Sequence, residues 1–311
     1  MTNNYKKLEK CRYAKEAASQ RWNKENKMLD YKGNNLFKLV YRKLFRIMKE
    51  RKILKDDKFY IGYLAVATDY ACNLNCRGCG QHTPEIKKIS EEQKKIDILQ
   101  IFKDLDKISQ AVDGIGGLAL ANGEGFLNKN LEQVMDYYHN NPKILSMNVP
   151  TNGTVIPNTT VLDKMSEYGV SATITRYEVV SEQKRDALRK VLRARKIKFT
   201  TFENRKWQYH EYCPELSSTE KETCHKYYNC ERFFMLLNGE LWKCVTDATR
   251  VFAGLREKRE GDSLVVRDAT VEEVRDFLEK KANLTHLESC YHCRGGVGSM
   301  VIHIPAGEQI K

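Results

Sequence analysis

Three cysteines lie close together in the segment Cys72-Asn-Leu-Asn-Cys76-Arg-Gly-Cys79. The segment directly follows an apolar run at residues 60–68. Thiolates are soft ligands that suit iron–sulfur clusters. A four-iron, four-sulfur cube normally takes four thiolates, so a group of three leaves one iron open, as catalytic metal sites do. The segment therefore predicts an iron–sulfur site at which a small molecule can bind.

A disulfide pair and a structural zinc site are the alternatives for these cysteines. Zinc ligands usually come as Cys-x2-Cys pairs repeated at a distance. The N-terminus has no apolar signal-peptide core, and 311 residues can bury a core without disulfides. The sequence contains no run of about 18 apolar residues, which is the length that a membrane helix needs. We therefore expect the ten cysteines to lie in a reducing cytoplasm and to bind metal.

The Cys-x3-Cys-x2-Cys spacing after a first strand resembles the radical S-adenosylmethionine (SAM) superfamily. This resemblance implies a [4Fe-4S] cluster on Cys72, Cys76 and Cys79, with SAM at the open iron. It also implies a flavodoxin- or ferredoxin-type electron donor and a 5′-deoxyadenosyl radical that takes hydrogen from an unreactive carbon. The string from Cys72 to Pro84 resembles a branch associated with polysaccharide and sugar biosynthesis, which shares Gly78 where many members have a large apolar residue.

A second resemblance follows the apolar run 115–121, which ends in Asn122-Gly123-Glu124. In the superfamily, a Gly-Gly-Glu turn after the second strand holds the amino group of SAM. This chain keeps Gly123 and Glu124 but has Asn122 in place of the first glycine. The resemblance implies that these residues contact SAM. Weaker candidates for contacts with ribose, carboxylate or substrate are Thr151, Asn152, Thr175 and Arg176.

Strands that alternate with helices must position these residues. Strand patterns occur at residues 60–68, 115–121, 144–150, 170–176 and 197–202, and helical patterns at 90–109, 159–167 and 181–195. This alternation predicts an α/β fold with a parallel sheet and right-handed crossovers, and functional residues at the carboxyl ends of the strands. We expect a partial (β/α)5-6 TIM-type barrel, as in the radical SAM family.

Six of the ten cysteines follow residue 205, namely Cys213, Cys224, Cys230, Cys244, Cys290 and Cys293. Residues 233–244 predict a β-hairpin around Asn238-Gly239, which is a strong turn signal. The arrangement resembles the Twitch domain, the shortened SPASM extension, which binds an auxiliary iron–sulfur cluster. The resemblance implies the ligands Cys230, Cys244, Cys290 and Cys293, with Cys224 as the alternative to Cys230.

Other roles remain open for these later cysteines. A zinc ribbon could use the same four ligands, because thiolates at hairpin spacing also suit tetrahedral zinc. A thiol near a substrate radical can donate a hydrogen atom, as in some radical SAM epimerases that this chain resembles. Cys213 and Cys224 are the candidates for that role. The alternative for both is a small buried apolar side chain.

The positive charge is concentrated at the N-terminus. Residues 1–58 contain 18 Lys and Arg against 7 Asp and Glu, a net +11 of the +12 for the whole chain. Residues 36–48 place apolar residues three to four positions apart among basic ones, which predicts an amphipathic helix. Such a helix either packs on the barrel or lies on an anionic membrane surface. Charge alone would also suit nucleic acid, but no recognition motif accompanies it, so we do not expect nucleic acid as a partner.

These patterns predict three units: a basic helical extension at 1–58, a radical SAM barrel at 59–205 and a Twitch-like hairpin-plus-helix domain at 206–311. The function implied is radical modification of a sugar or glycan precursor by epimerisation, dehydrogenation or dehydration. A maturase for a ribosomal peptide or protein is the alternative enzyme. A non-catalytic zinc or iron–sulfur module with a basic arm is the alternative outside enzymes.

Overall fold

The computed structural model describes residues 59–202, 206–209, 212–216, 218–229, 233–294 and 302–310. The predicted basic extension and Cys230 lie outside the described residues. Their roles therefore stay predictions.

A mixed sheet of eight strands forms the centre of the described part of the chain. The strands of the chain are β1 (Tyr60–Ile61), β2 (Leu64–Ala67), β3 (Gly114–Ile115), β4 (Leu118–Ala121), β5 (Met147–Thr151), β6 (Ser171–Thr175), β7 (Phe199–Phe202), β8 (Lys206–Gln208), β9 (Phe234–Leu237), β10 (Glu240–Trp242), β11 (Ser263–Val265) and β12 (His303–Pro305). In the central sheet their order is β11-β10-β9-β2-β4-β5-β6-β7.

The strands from β2 to β7 in this order pair in parallel, as predicted. Every residue of β2 and β4 is buried, which suits strands covered on both faces. In β5 and β6 buried residues alternate with half-buried ones. The apolar residues of these strands and of the helices that follow form one large core. The predicted α/β partial barrel is confirmed.

Helices lie between many of the strands, and those between β2 and β7 connect parallel strands of the central sheet. They are α1 (Thr83–Ile86), α2 (Ile98–Ala111), α3 (Leu131–Asn140), α4 (Thr159–Tyr168), α5 (Glu182–Ala194), α6 (Glu220–Asn229), α7 (Val245–Phe252) and α8 (Val271–Ala282), with 3-10 turns at Gly125–Leu127 and Glu288–His292. Among the residues described, no helix combines the length and the apolar character that a membrane span requires.

Local capping sets where these helices begin. The helix expected from residue 90 begins at Ile98, so its predicted start was wrong. The Asp97 side chain accepts a hydrogen bond from the Gln100 N–H at 3.0 Å and so caps α2. Asn158 caps α4 in the same way, by accepting from the Val161 N–H at 2.8 Å. The predicted limits of α4 and α5 agree with the structure to within one residue.

The predicted hairpin is present as β9 and β10, which pair antiparallel around Asn238-Gly239. Its first strand also pairs in parallel with β2, so the hairpin continues the barrel sheet. Sequence periodicity carries no information about this pairing. The division of the chain at residue 205 stays a prediction.

Lys107 on α2 joins the barrel to the segment after β11. Its Nζ donates to the carbonyl oxygens of Val266, Arg267 and Ala269, at 2.9, 3.0 and 2.7 Å. One ammonium therefore satisfies three loop carbonyls, which are strong obligatory acceptors.

Lys107→Met should lower the free energy of unfolding by about 1–3 kcal/mol, because it leaves those carbonyls without their charged donor. Urea titration followed by circular dichroism measures the effect. Lys103→Met, at an exposed position of the same helix, is the matched control. Equal stability of the two variants would contradict this role for Lys107.

Candidate active site

The three-cysteine segment is a loop between β2 and α1, at the carboxyl end of β2. Cys76 is buried, and Cys72 and Cys79 are half-buried. Burial raises the pKa of the Cys76 thiol to about 11, the hydrogen bond from Gln309 opposes the rise, and the nearby thiols of Cys79 and Cys72 add to it. Burial is also the main cause that raises the pKa of Cys72. The three thiols are therefore close enough to influence one another, as the sequence predicts.

The Gly-Glu turn packs directly against the start of this loop. Glu124 N–H donates to the Ala71 carbonyl at 2.7 Å. Gly123 has φ of +70°, and a Cβ at this position would lie 2.2 Å from the same carbonyl oxygen. Only glycine fits such a backbone. The turn and the cysteine loop are thus brought together as predicted.

Glu124 is 2% exposed and accepts hydrogen bonds through both carboxylate oxygens. Thr151 Oγ1 donates to Oε1 at 2.5 Å, and Asn152 N–H donates to Oε2 at 2.6 Å. Burial raises the pKa of Glu124, and these hydrogen bonds partly oppose the rise. Thr151 and Asn152 therefore support Glu124. Asn152 also contacts the cysteine loop, because its Nδ2 donates to Asn73 Oδ1 at 3.0 Å.

Asn122 has a buried side chain and a left-handed backbone, with φ of +65°. Its N–H donates to Gln81 Oε1 at 2.5 Å. Within the part of the chain that the structure describes, neither atom of its amide group has a hydrogen-bond partner. An unsatisfied buried amide is costly. Asn122 therefore suits a polar ligand at this turn, which is the role that the resemblance implies.

Tyr177 packs beside the site, against Gly307, and no sequence pattern indicates this position. It follows Thr175 and Arg176 at the carboxyl end of β6. Burial raises the pKa of its hydroxyl, and the charges of Cys79, Cys76 and Glu124 add to the rise. Arg176 N–H donates to the Phe202 carbonyl at 2.8 Å. Contacts of Thr175 and Arg176 with SAM or substrate stay predictions.

A second group of cysteines surrounds the buried side chain of Arg250, on α7. Arg250 Nη2 donates to Cys293 Sγ at 3.2 Å. The charges of Cys293, Cys244 and Asp247 raise the pKa of Arg250, whereas burial lowers it. The structure thus brings two predicted auxiliary ligands, Cys244 and Cys293, close to one guanidinium. Cys290 lies on the Glu288–His292 turn beside Cys293.

The remaining cysteines have other neighbours. Cys224 is buried on α6, with its Sγ 3.6 Å from His286 Nδ1. Cys213 Sγ lies 3.2 Å from Glu215 Oε2 and 3.7 Å from Arg294 Nη2. The choice between Cys224 and Cys230 stays open, as does a hydrogen-atom donor role for Cys213 or Cys224.

Two cavities lie at these cysteine groups. One of about 210 Å³ separates the cysteine loop from α7 and is lined by Cys79, His82, Glu85, Tyr209, Tyr212 and Arg250. The other, of about 270 Å³, is lined by residues that include Trp242, Cys244, Asp247 and His286. Arg250 lines the first cavity and contacts Cys293, so it lies between the two groups.

The residues of the cysteine loop fit an iron–sulfur cluster with SAM. The loop offers three mutually close thiols, and the adjoining turn offers a buried carboxylate and the unsatisfied amide of Asn122. Among the described residues, no group of three or more His, Cys, Asp or Glu side chains is arranged around a single metal ion. Thiolates of a four-iron cube each bind a different iron and need not share one ion.

Comparisons with known proteins agree with this fold. The chain is 31% identical over 97 residues to a GTP 3′,8-cyclase of Clostridium acetobutylicum, a match that covers 31% of this chain and only 29% of the cyclase. The crystal structure of BtrN in complex with AdoMet and 2-DOIA has a TM-score of 0.51 and 14% identity, over 75% of this chain and 92% of BtrN. That of anSMEcpe with bound AdoMet has a TM-score of 0.46 and 13% identity, over 68% and 77%. No protein-family model matches the chain.

BtrN is a radical SAM enzyme. The chain therefore has the radical SAM fold that its cysteine segment predicts.

Gly123→Ala should prevent the turn from packing on the loop, because a methyl group would overlap the Ala71 carbonyl. We expect reconstituted protein to lose most of the iron of the cysteine loop and its affinity for SAM. Iron analysis and equilibrium dialysis with labelled SAM measure both. Gly80→Ala is the matched control, since a Cβ there meets no atom within 4 Å. Wild-type iron and SAM binding in Gly123→Ala would contradict the geometric argument.

Proposed function

We propose that this protein is a radical SAM enzyme with its catalytic cluster on Cys72, Cys76 and Cys79. The observation that carries the proposal is the packing of the Gly-Glu turn on a loop with three adjacent thiols. Both lie at the carboxyl ends of parallel strands, where barrel enzymes place their active sites. The chemistry that the cluster and SAM supply when bound is reductive cleavage of SAM, which yields a radical able to take hydrogen from carbon.

The chain's own residues bind and orient these groups. The thiolates hold the cluster, and the buried carboxylate of Glu124 offers an acceptor for the amino group of SAM. Thr151 and Asn152 fix that carboxylate by donating to its two oxygens. Asn122 offers an amide to a polar atom of the ligand.

We infer that the substrate is a sugar or glycan precursor. The sequence from Cys72 to Pro84 supports this, because it resembles the branch linked to sugar biosynthesis. The fold similarity to BtrN, which was crystallised with 2-DOIA, is consistent with a small-molecule substrate. Peptide modification is the competing outcome. Stimulation of 5′-deoxyadenosine release by nucleotide sugars, or instead by peptides, distinguishes the two.

We also propose an auxiliary iron–sulfur cluster at Cys244, Cys290 and Cys293, with Cys230 or Cys224 as the fourth ligand. The approach of Cys244 and Cys293 to one buried guanidinium supports it, because a buried cation favours anionic thiolates nearby.

A flavodoxin- or ferredoxin-type protein would supply the electrons. Cytoplasmic location, and attachment of residues 1–58 to an anionic membrane surface, belong to the same proposal.

Cys76→Ala should abolish the formation of 5′-deoxyadenosine from SAM under reducing conditions, because one iron of the cluster loses its thiolate. Chromatography of the products after anaerobic reconstitution measures it. Cys11→Ala, which removes a cysteine distant in sequence from both groups, should retain product formation. Wild-type product formation by Cys76→Ala would rule out this catalytic site.

Replacing both Cys244 and Cys290 with alanine should remove about half of the iron, from roughly eight to roughly four atoms per chain. It should also weaken the fold after residue 205, since metal binding and folding are coupled. Iron and sulfide analysis with thermal unfolding tests this. Zinc in place of iron at the second site, in anaerobically purified protein, would support a zinc ribbon instead.

A further inference from the structure

The last described residues of the chain lie along the cysteine loop. Arg77 N–H donates to the Glu308 carbonyl at 2.7 Å, and Ile310 N–H donates to the Asn75 carbonyl at 2.8 Å. Between these bonds, Cys76 and Gln309 form an antiparallel bridge. The C-terminal segment, defined here as residues 302–310, therefore pairs with the loop at its central cysteine.

The C-terminal segment is also held by contacts of the residues that precede this bridge. Its strand β12 pairs with β8. At Gly78, between the second and third cysteines, a Cβ would lie 2.4 Å from Ile304 Cδ1 and 2.6 Å from Tyr209 Cδ2. The glycine that replaces the large apolar residue of many radical SAM enzymes thus makes room for this segment. A Cβ at Gly307 would in turn lie 2.5 Å from the ring of Tyr177.

The side-chain amide of Gln309 is oriented by its neighbours. Its Oε1 accepts from the Asn75 N–H at 2.7 Å, a group that can only donate. Its Nε2 donates to the Gly307 carbonyl at 2.7 Å, a group that can only accept. The second hydrogen of Nε2 is directed at Cys76 Sγ, 3.1 Å away. The network therefore fixes which end of the amide faces the thiol.

We propose that Gln309 is a positioning residue for the catalytic cluster and that its amide N–H makes the cluster easier to reduce. The proposal rests on the proposed function, since it takes Cys76 as a cluster ligand. Reduction adds negative charge that spreads to the ligand sulfurs, and an N–H that points at a sulfur stabilises the reduced state more than the oxidised state. Hydrogen bonds to the sulfurs are among the factors that set cluster potentials.

Burial strengthens the hydrogen bond from Gln309 to Cys76. Cys76 is 6% exposed, so water competes little for its sulfur. A donor in a site of low polarity interacts more strongly than one in water. Gln309 lies 233 positions after Cys76 in the sequence, so the C-terminal segment contacts a cysteine of a distant loop.

Gln309→Leu, which removes both polar atoms at nearly constant volume, tests the proposal. The reduction potential of the cluster in reconstituted protein is measured by redox titration with electron paramagnetic resonance, on the signal that changes when SAM is added. We expect a more negative potential, with a change on the order of tenfold in the oxidised-to-reduced equilibrium, or about 59 mV for one electron. Glu308→Gln is the matched control, because Glu308 pairs with Arg77 at the surface and not with Cys76.

Gln309→Glu is the second variant, in case the leucine variant does not take up iron. It keeps an oxygen for the Asn75 N–H but turns a carboxylate oxygen towards the thiolate, so a shift in the same direction is expected. A loaded variant with the wild-type potential would overturn the proposal. So would loss of iron in both variants while Glu308→Gln retains it, because Gln309 would then serve only the loop structure. Absence of a SAM-responsive cluster in the wild-type protein would instead reject the proposed function.

Discussion

The cysteine loop depends on hydrogen bonds from parts of the chain far from it in sequence. A loop that presents three thiols to one ligand cannot also form a regular ladder, yet its backbone groups need partners. The Ala71 carbonyl is satisfied by Glu124, the Asn75 carbonyl by Ile310 and the Arg77 N–H by Glu308. The turn after β4 and the C-terminal segment therefore supply the partners that the loop backbone needs.

Buried polar groups concentrate where this loop meets the strand ends. Glu124 is a nearly fully buried carboxylate, which would be costly without partners. Thr151 and Asn152 supply donors to it, and Asn152 also donates to Asn73 within the loop. One network thus links the ends of β4 and β5 to the cysteine segment. Such a network fixes the distance between a carboxylate and the thiols, which a site for a small zwitterion requires.

The sequence predicted those features that are local. Continuous apolar runs and alternating patterns predicted the parallel strands, and the Asn238-Gly239 turn predicted the hairpin. Spacing located the three thiols, since only a short loop joins them. Helix α2 begins at Ile98, later than its sequence pattern predicts, because the Asp97 side chain caps it there. The pairing of β9 with β2 could not be predicted, because it depends on contacts between residues 170 positions apart.

The site residues that the sequence missed are those that act across long separations. Gln309 reaches Cys76 from the C-terminal segment, and Tyr177, at the end of β6, packs against Gly307 of the same segment. Neither residue type has a characteristic spacing from the cysteines. Gly78 was recognised only as a departure from the family, and its reason lies in the packing of Ile304 and Tyr209. A motif therefore identifies candidate ligands, whereas the fold identifies the residues that contact and position those ligands.

The two cysteine groups are held relative to each other by side chains next to their ligands. His82, three residues after Cys79, lies 3.0 Å from Thr249 Oγ1 on α7, the helix that begins after Cys244. His82 Nδ1 and the Thr249 hydroxyl share a hydrogen bond, and Thr249 Oγ1 also lies 3.1 Å from the carbonyl oxygens of Val245 and Thr246 on its own helix. This hydrogen bond is buried, and each of its two residues lies close in sequence to a cysteine of one group. A displacement of α7 would therefore move the residues that follow Cys79, and the geometry of one site constrains that of the other.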